Sequence, residues 1–351
     1  MAATPSKTLS TAPSILIILM GSLGDVTRGL CLVSQIKNNW PDSRVTWLVE
    51  PKWATLVSIH PRIDKIIIFN RPKKVLGVLY LYKDLTKEHF DITLDLQRHF
   101  KSGFFSLLSG AKRRIGFHRQ NAKELNWLFN NEHIEYVSNE LNLPKWRHYL
   151  KFTEHIGLPA HSSLDFGLSS LSTRVELPDI VAKIRDPFIS VVMGSSWESK
   201  DWFFEGYYQL VKDILSSEKW SVVLLGDHSQ VASGAELCEK VGTQGVFNLI
   251  GKTSILELVA VLNAAAAGVG PDSGPGHLAA AVGTPYVSLF GPTSSKRAAP
   301  YKCEHLVVQS DLHCASCYKK KCPDLDRQCM RLISVESVQK KLSEALRTVN
   351  A

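Results

Sequence analysis

Two successive series of short apolar runs, each alternating with amphipathic stretches, predict an α/β protein made of two doubly wound domains. Three observations carry this. The runs are apolar on both faces, as strands of a parallel sheet covered by helices are. The alternation fades once, over 157–187, and then begins again, which divides the chain. A length of 351 residues also suits two domains of about 100–200 residues each.

Taken in order, residues 1–14 are small and polar, contain two prolines, and read as a lead-in without fixed structure. Runs 15–20, 44–49, 65–69, 92–96 and 114–117 read as strands, with helices over 26–38, 51–59 and 102–108. After the connection come strands over 188–193, 222–225, 246–250, 266–269 and 286–289. Their intervening helices are 204–216, 230–241, 254–263 and 274–282. Ile333, Val335, Val338, Leu342 and Leu346 recur at helical spacing, so the chain is expected to close with a helix over 334–349. The expected domains are 15–165 and 166–333, followed by the closing segment 334–351.

Composition narrows the function classes. With 44% hydrophobic and 21% charged residues and a mean hydropathy of −0.03, the chain buries real cores and is neither disordered nor membrane-spanning. No apolar run reaches the ~18–20 residues of a bilayer crossing. The run at 15–20 leads straight into Gly21, Ser22 and Gly24 and is not a signal-peptide core, so a cytoplasmic protein is expected. Charge is uneven. Residues 62–124 hold 14 Lys and Arg against 6 Asp and Glu, a surplus equal to the whole chain's +8. A localised basic surface points to nucleic acid, acidic lipid or a phosphorylated substrate, or is simply a solvated face. No recognition fold or aromatic platform accompanies the charge, which argues against nucleic acid.

Open α/β sheets bind ligands beyond the carboxyl ends of their strands, where strand order reverses, so the loops after strands are where chemistry is expected. The first is Gly21-Ser22-Leu23-Gly24-Asp25. It is half of a dinucleotide fingerprint, with Thr27 where the third glycine belongs and Glu50 as the only distal acid, and this is the sole basis for a nicotinamide oxidoreductase. Asp25 reads either as a helix-start carboxylate held by backbone N–H groups or as a general base. The second loop is Gly194-Ser195-Ser196-Trp197-Glu198-Ser199-Lys200-Asp201-Trp202, either a Ser-rich turn or a phosphate cradle with Lys200 as the cation. The third, Pro271-Asp272-Ser273-Gly274-Pro275-Gly276-His277, gathers a carboxylate, a hydroxyl, helix-start N–H groups and an imidazole before a small-residue helix. Phe290-Gly291-Pro292-Thr293 ends the next strand. Cys31 and Cys238 sit on helical patterns and read as small core residues. Five further cysteines, Cys303, Cys314, Cys317, Cys322 and Cys329, lie in one stretch. The last four suggest either a structural Zn²⁺ or free thiols.

These loops, in this order, resemble the glycosyltransferase family 9 enzymes, the lipopolysaccharide heptosyltransferases. Val45-Thr-Trp-Leu-Val-Glu50, Ile59-His-Pro-Arg-Ile-Asp64, Phe90-Asp-Ile-Thr-Leu-Asp95, Phe100-Lys-Ser-Gly103 and Arg113-Arg-Ile-Gly-Phe117 are similar to heptosyltransferase I more than to heptosyltransferase II. The resemblance implies a GT-B fold, two Rossmann-like domains facing a central cleft, with the acceptor on the first and ADP-heptose on the second. It implies transfer of L-glycero-D-manno-heptose to Kdo of the inner core, or to another core sugar if the enzyme is of type II or III. Asp25 would be the base. Ser195, Ser196, Lys200, Asp272, Ser273, Gly274 and His277 would hold the donor, with no obligatory metal or cofactor. Asp227 departs from the family's ribose-binding pattern. Lys73, Lys74, Arg98, Lys101, Arg113, Arg114 and Arg119 would face a phosphorylated Kdo-lipid A acceptor, and the same charge would hold the enzyme peripherally on the cytoplasmic face of the inner membrane.

Overall fold

The computed structural model describes residues 12–159, 161, 163–169 and 175–349; the expected lead-in lies outside them as far as residue 11. Its end is ordered. Strand β1 (Ser14–Ile18) starts inside that stretch because Ser14 already pairs with Arg44. The chain forms two compact units, one reaching Glu140 and resuming over Trp146–Gly167, the other made of Leu141–Lys145 and everything from Leu168.

In the first unit β1 is followed by α1 (Leu23–Gly29), α2 (Cys31–Asn39), β2 (Arg44–Val49), α3 (Pro51–Ser58), β3 (Lys65–Ile68), α4 (Lys74–Thr86), β4 (Ile92–Asp95), α5 (Phe100–Leu108), β5 (Arg113–Gly116), β6 (Glu132–His133) and α6 (Lys145–His155). The strands are parallel, in the order β3-β2-β1-β4-β5-β6. Ile15, Leu16, Ile17 and Ile18 are wholly buried, which is why β1 alternates nothing: helices cover both of its faces. Leu16, Ile18 and Leu48 meet Phe69, Leu81, Leu85 and Phe105 in one core. Trp47 points the opposite way and donates its indole N–H to Leu19 O at 3.0 Å.

Two departures from the sequence pattern have physical causes. The single helix expected over 26–38 is broken into α1 and α2 at Leu30, just after Gly29, where a Cβ would stand 2.5 Å from Leu19. Helix α4 has no sequence signal because apolar residues occupy all of its faces: Gly77, Leu81 and Leu85 are buried, while Val75, Leu76, Leu79, Tyr80 and Tyr82 are exposed. Much of the expected linker is also packed, since Leu158, Leu164, Phe166 and Leu168 are buried and Ser34 Oγ donates to Asp165 at 3.1 Å.

The second unit contains α7 (Asp179–Ala182), β7 (Phe188–Val192), α8 (Phe204–Ser216), β8 (Ser221–Leu225), α9 (Val231–Val241), β9 (Val246–Asn248), α10 (Ile255–Ala264), β10 (Ala267–Pro271), α11 (Gly274–Val282), β11 (Tyr286–Phe290), α12 (Ser295–Ala298), β12 (Val307–Gln309), α13 (Gln328–Arg331) and α14 (Val335–Val349). The sheet runs β12-β11-β10-β7-β8-β9, so each unit has the strand order of a Rossmann fold. Ser254 and Glu257 cap α10 reciprocally. The closing helix α14 lies against β10, β11, β12 and α8, burying Val338, Leu342 and Ala345. Cys31 is buried as expected, whereas Cys238 is only partly so.

Tyr286 at the head of β11 explains the small residues around it. A Cβ on Gly270 would stand 2.5 Å from the Tyr286 hydroxyl and 2.7 Å from Val192 O, and one on Gly276 would stand 2.8 Å from the same ring. These positions let β10, β7 and α11 close upon one aromatic side chain. Gly270→Ala is therefore expected to destabilise the second unit by about 1–3 kcal/mol in urea unfolding, and an unchanged midpoint would contradict this packing.

Candidate functional site

In the first unit the strand order reverses between β1 and β4, and the loops after both strands are polar. Asp25 sits in the first turn of α1. Its Oδ2 accepts from the Ser22 N–H at 3.4 Å and the Ser22 hydroxyl at 3.2 Å, so the carboxylate reaches back to the residue that precedes the helix. Its Oδ1 accepts from Arg28 at 2.7 Å and from the Tyr149 hydroxyl of α6 at 3.3 Å. Asp25 is thus a helix-start carboxylate, 18% exposed and paired with the Arg28 guanidinium. Burial, and then the Asp25 charge, push the Tyr149 phenol well above its ordinary range, so it stays a donor.

The β4 end fixes the facing loop. Asp95 is fully buried and accepts at Oδ2 from Ser102 (3.2 Å), Asn126 (2.7 Å) and Asn130 (3.4 Å), and at Oδ1 from the Gln97 N–H (3.1 Å). Burial pushes its carboxyl up to about 7 against the pull of these donors. Gln97 then donates to Gly21 O at 3.2 Å, tying the β4 loop to the β1 loop.

The seven cations expected to meet the acceptor divide into two groups. Arg113 makes a bidentate pair with Glu132 at 2.7 Å, joining β5 to β6. Arg114 donates to Phe129 O and Ala111 O, and Arg98 pairs with Glu140 at 2.5 Å and meets His148 at 3.1 Å. All three arginines therefore have partners within their own unit. Lys101 lies 3.8 Å from Glu50 and over the Phe69 ring, and burial together with nearby Arg71 lowers its pKa. Lys73, Lys74 and Arg119 are exposed.

In the second unit the reversal lies between β7 and β10, where two of the motif loops emerge. Lys200 Nζ donates to Asp272 Oδ2 at 2.7 Å and Asp272 O at 3.2 Å, and it stands 4.5 Å from the centre of the Trp197 ring. Thr293, from the loop after β11, donates to the same Asp272 oxygen at 2.7 Å. Three strand-end loops therefore converge on one buried carboxylate. Ser195 is turned inward: its N–H donates to Asp201 at 2.6 Å, while its hydroxyl donates to Trp197 O and accepts from Trp197 N–H. Ser196 is exposed. Ser273 precedes the first turn of α11, which Gly274 opens, and its hydroxyl is enclosed beside the Tyr286 phenol. His277 is buried one turn further on. Asp227 caps the turn at 228–230 by accepting from the Ser229 N–H and hydroxyl.

Sequence alone missed Arg28, Arg71, Tyr149, Asn126 and Asn130. Arg28, three residues after Asp25, was in principle legible as a helical ion pair. Tyr149 was not, being 124 residues from the carboxylate it serves.

Comparison with known proteins gives consistent results. A family model described as glycosyltransferase family 9 (heptosyltransferase) matches residues 78–326. The lipopolysaccharide core heptosyltransferase OpsX of Haemophilus influenzae is 30% identical over 292 residues, 82% of each chain. Lipopolysaccharide heptosyltransferase 1 of Pseudomonas aeruginosa is 28% identical over 320 residues, 88% of this chain and 87% of that one. Among solved structures, E. coli heptosyltransferase WaaC with ADP superposes with a TM-score of 0.75 at 21% identity, over 95% of this chain and 99% of that one.

The Asp95 site yields a pH test. Because the folded state holds this proton up to about pH 7 and the unfolded chain releases it near the ordinary value of 3.8, stability contributed here falls as pH rises between those values. Asp95→Asn removes the titration. The difference in unfolding free energy between wild type and variant should shrink with rising pH, by up to about 1.4 kcal/mol per unit, and level off above neutrality. A constant difference would show that Asp95 is ionised throughout.

Proposed function

The chain belongs to glycosyltransferase family 9, the heptosyltransferases, and from that membership and its GT-B fold we propose that it transfers L-glycero-D-manno-heptose from ADP-heptose to a Kdo sugar of the lipopolysaccharide inner core. Heptose transfer in core assembly is the family's activity; the donor, the Kdo acceptor and the residue roles are our reading. The observation that carries it is the convergence of Lys200, Thr293 and the start of α11 on Asp272. A helix N-terminus beside a restrained ammonium group is suited to a diphosphate.

In this reading the acceptor hydroxyl gives its proton to Asp25 as it attacks the anomeric carbon, and ADP leaves with the electron pair of the broken C–O bond. A positioned carboxylate base contributes about 10²–10⁴-fold. Oδ2, the oxygen turned away from the guanidinium and bonded by Ser22, is the one we assign to the proton, while Arg28 and Tyr149 orient the carboxylate through Oδ1. In the same reading, Lys200 and the N–H groups at Ser273 and Gly274 stabilise the charge that the departing diphosphate gains. Lys101 and Arg71 form the cationic pair best suited to the anionic acceptor, with Lys73, Lys74 and Arg119 further out.

No described helix is long and apolar enough to cross a membrane. We assign peripheral contact with the cytoplasmic leaflet to α4, whose exposed Val75, Leu76, Leu79, Tyr80 and Tyr82 are flanked by Arg71, Lys73, Lys74, Lys83 and Lys87. Apolar and basic residues together suit an anionic lipid surface.

Two experiments test these assignments. With ADP-heptose and truncated inner-core acceptors followed by mass spectrometry, Asp25→Asn should lose about 10²–10⁴-fold in turnover while ADP affinity by calorimetry persists. Lys200→Ala, made together with Asp272→Asn so that no carboxylate is stranded, should weaken ADP binding about 10–100-fold. Wild-type turnover in the first variant, or wild-type affinity in the second, removes the role assigned. For the membrane, wild-type protein should sediment with phosphatidylglycerol vesicles and not with phosphatidylcholine ones, and Leu76→Ser with Leu79→Ser should abolish this. Equal binding to both vesicle types, or none, refutes the α4 assignment.

A further inference from the structure

Between β12 and α13 the chain makes no strand or helix, yet it follows a defined path. Segments this long without secondary structure of their own need another source of order inside a compact unit. Here Cys314, Cys317, Cys322 and Cys329 line one cavity of about 330 Å³, with His313 and Leu325 also in its wall. The cysteine stretch therefore places all four thiols around a single space. Cys303 lies elsewhere, buried beneath β11.

The backbone around these sulfurs is bent for them. Ser316, Tyr318, Asp326 and Arg327 all adopt left-handed φ of 35° to 63°, each within two residues of Cys317 or in the short return from Cys322 to Cys329. Non-glycine residues hold such φ values only where surrounding interactions impose them.

We propose that Cys314, Cys317, Cys322 and Cys329 hold one tetrahedral transition-metal ion, zinc or iron, whose role is to fix the loop that supports Lys200. Sulfur ligands in a tetrahedral set select these two metals. Binding releases the four thiol protons, and the doubly negative centre that a divalent ion then forms is offset by Lys319, Lys320, Lys321 and Arg327. As they stand, no three His, Cys, Asp or Glu side chains among the described residues already surround a common point. Ligation therefore requires the thiols to turn inward across the cavity they share.

The loop grips the donor side of the unit at two places. Lys319 O and Lys320 O accept from the Ser199 hydroxyl and N–H at 2.7 and 3.2 Å, and Arg327 donates to Glu198 O and Asp201 O, so both neighbours of Lys200 in its turn are held. Ser316 and Tyr318 N–H groups donate to Gly291 O and Pro292 O, directly before Thr293. A metal in the cavity would thus set both ends of the Lys200–Asp272–Thr293 cluster. Only this last consequence rests on the diphosphate role of Lys200; the metal does not.

The test begins with full-length wild-type protein purified under reducing conditions without chelator. Elemental analysis should find about one zinc or iron per chain, and identify which. Replacement by Co²⁺ should give the intense visible and near-ultraviolet bands of a tetrahedral thiolate centre, a readout that needs no variant. Cys317→Ser with Cys322→Ser should lose the metal and lower the melting temperature, and metal removal from wild type should weaken ADP binding several-fold. Metal-free protein that also takes up no Co²⁺, or mass spectra showing these cysteines joined as disulfides, would overturn the site. Unchanged ADP affinity after metal loss would overturn the supporting role alone.

Discussion

The second unit is organised around one buried ion pair. Asp272 at the end of β10 is reached by Lys200 from the loop after β7 and by Thr293 from the loop after β11, so three adjacent strands of the sheet are locked at their carboxyl ends by one carboxylate. The side chains of Lys200 and Asp272 are 14% and 8% exposed, and removing one partner from so enclosed a pair costs about 3–5 kcal/mol, because the other charge is left buried. The same enclosure sets the chemistry. Two contacts to Asp272 hold the ammonium without exhausting its three N–H donors, so a cation already desolvated by the fold remains able to bind an oxyanion.

The first unit has the same strand order but a different solution at its reversal point. There the carboxylate that opens toward solvent, Asp25, is separate from the one that organises the loops, Asp95. Asp25 is steadied by groups from its own helix and from α6, whereas Asp95 draws α5 and the 126–130 turn onto β4 through amides and a hydroxyl. One architecture thus carries two kinds of polar centre, and which kind appears is decided by a handful of residues just past β1, β4, β7 and β10.

Much of this was legible because strand-end loops announce themselves. Gly21 to Asp25, Gly194 to Trp202 and Pro271 to His277 combine turn-forming residues with chemistry directly after apolar runs, and the structure places all three at reversal points. Helix α4 was not legible, since a helix apolar on its solvent face has no stripe to detect. The arginines show a second limit. Local charge identified Arg98, Arg113 and Arg114 as surplus, yet Glu140 and Glu132 lie 42 and 19 residues further on and consume two of them. The surplus is real as a sum, but its spatial distribution depends on pairings that only the fold creates. The edge strands β6 and β12, of two and three residues, are too short to carry any period.

The network beneath Asp95 has a thermodynamic consequence. Asn126 and Asn130 converge with Ser102 of α5 on a carboxyl group sealed from water, so the 126–130 turn has little freedom left in the folded unit. Its ordering entropy is surrendered once, when the polypeptide folds.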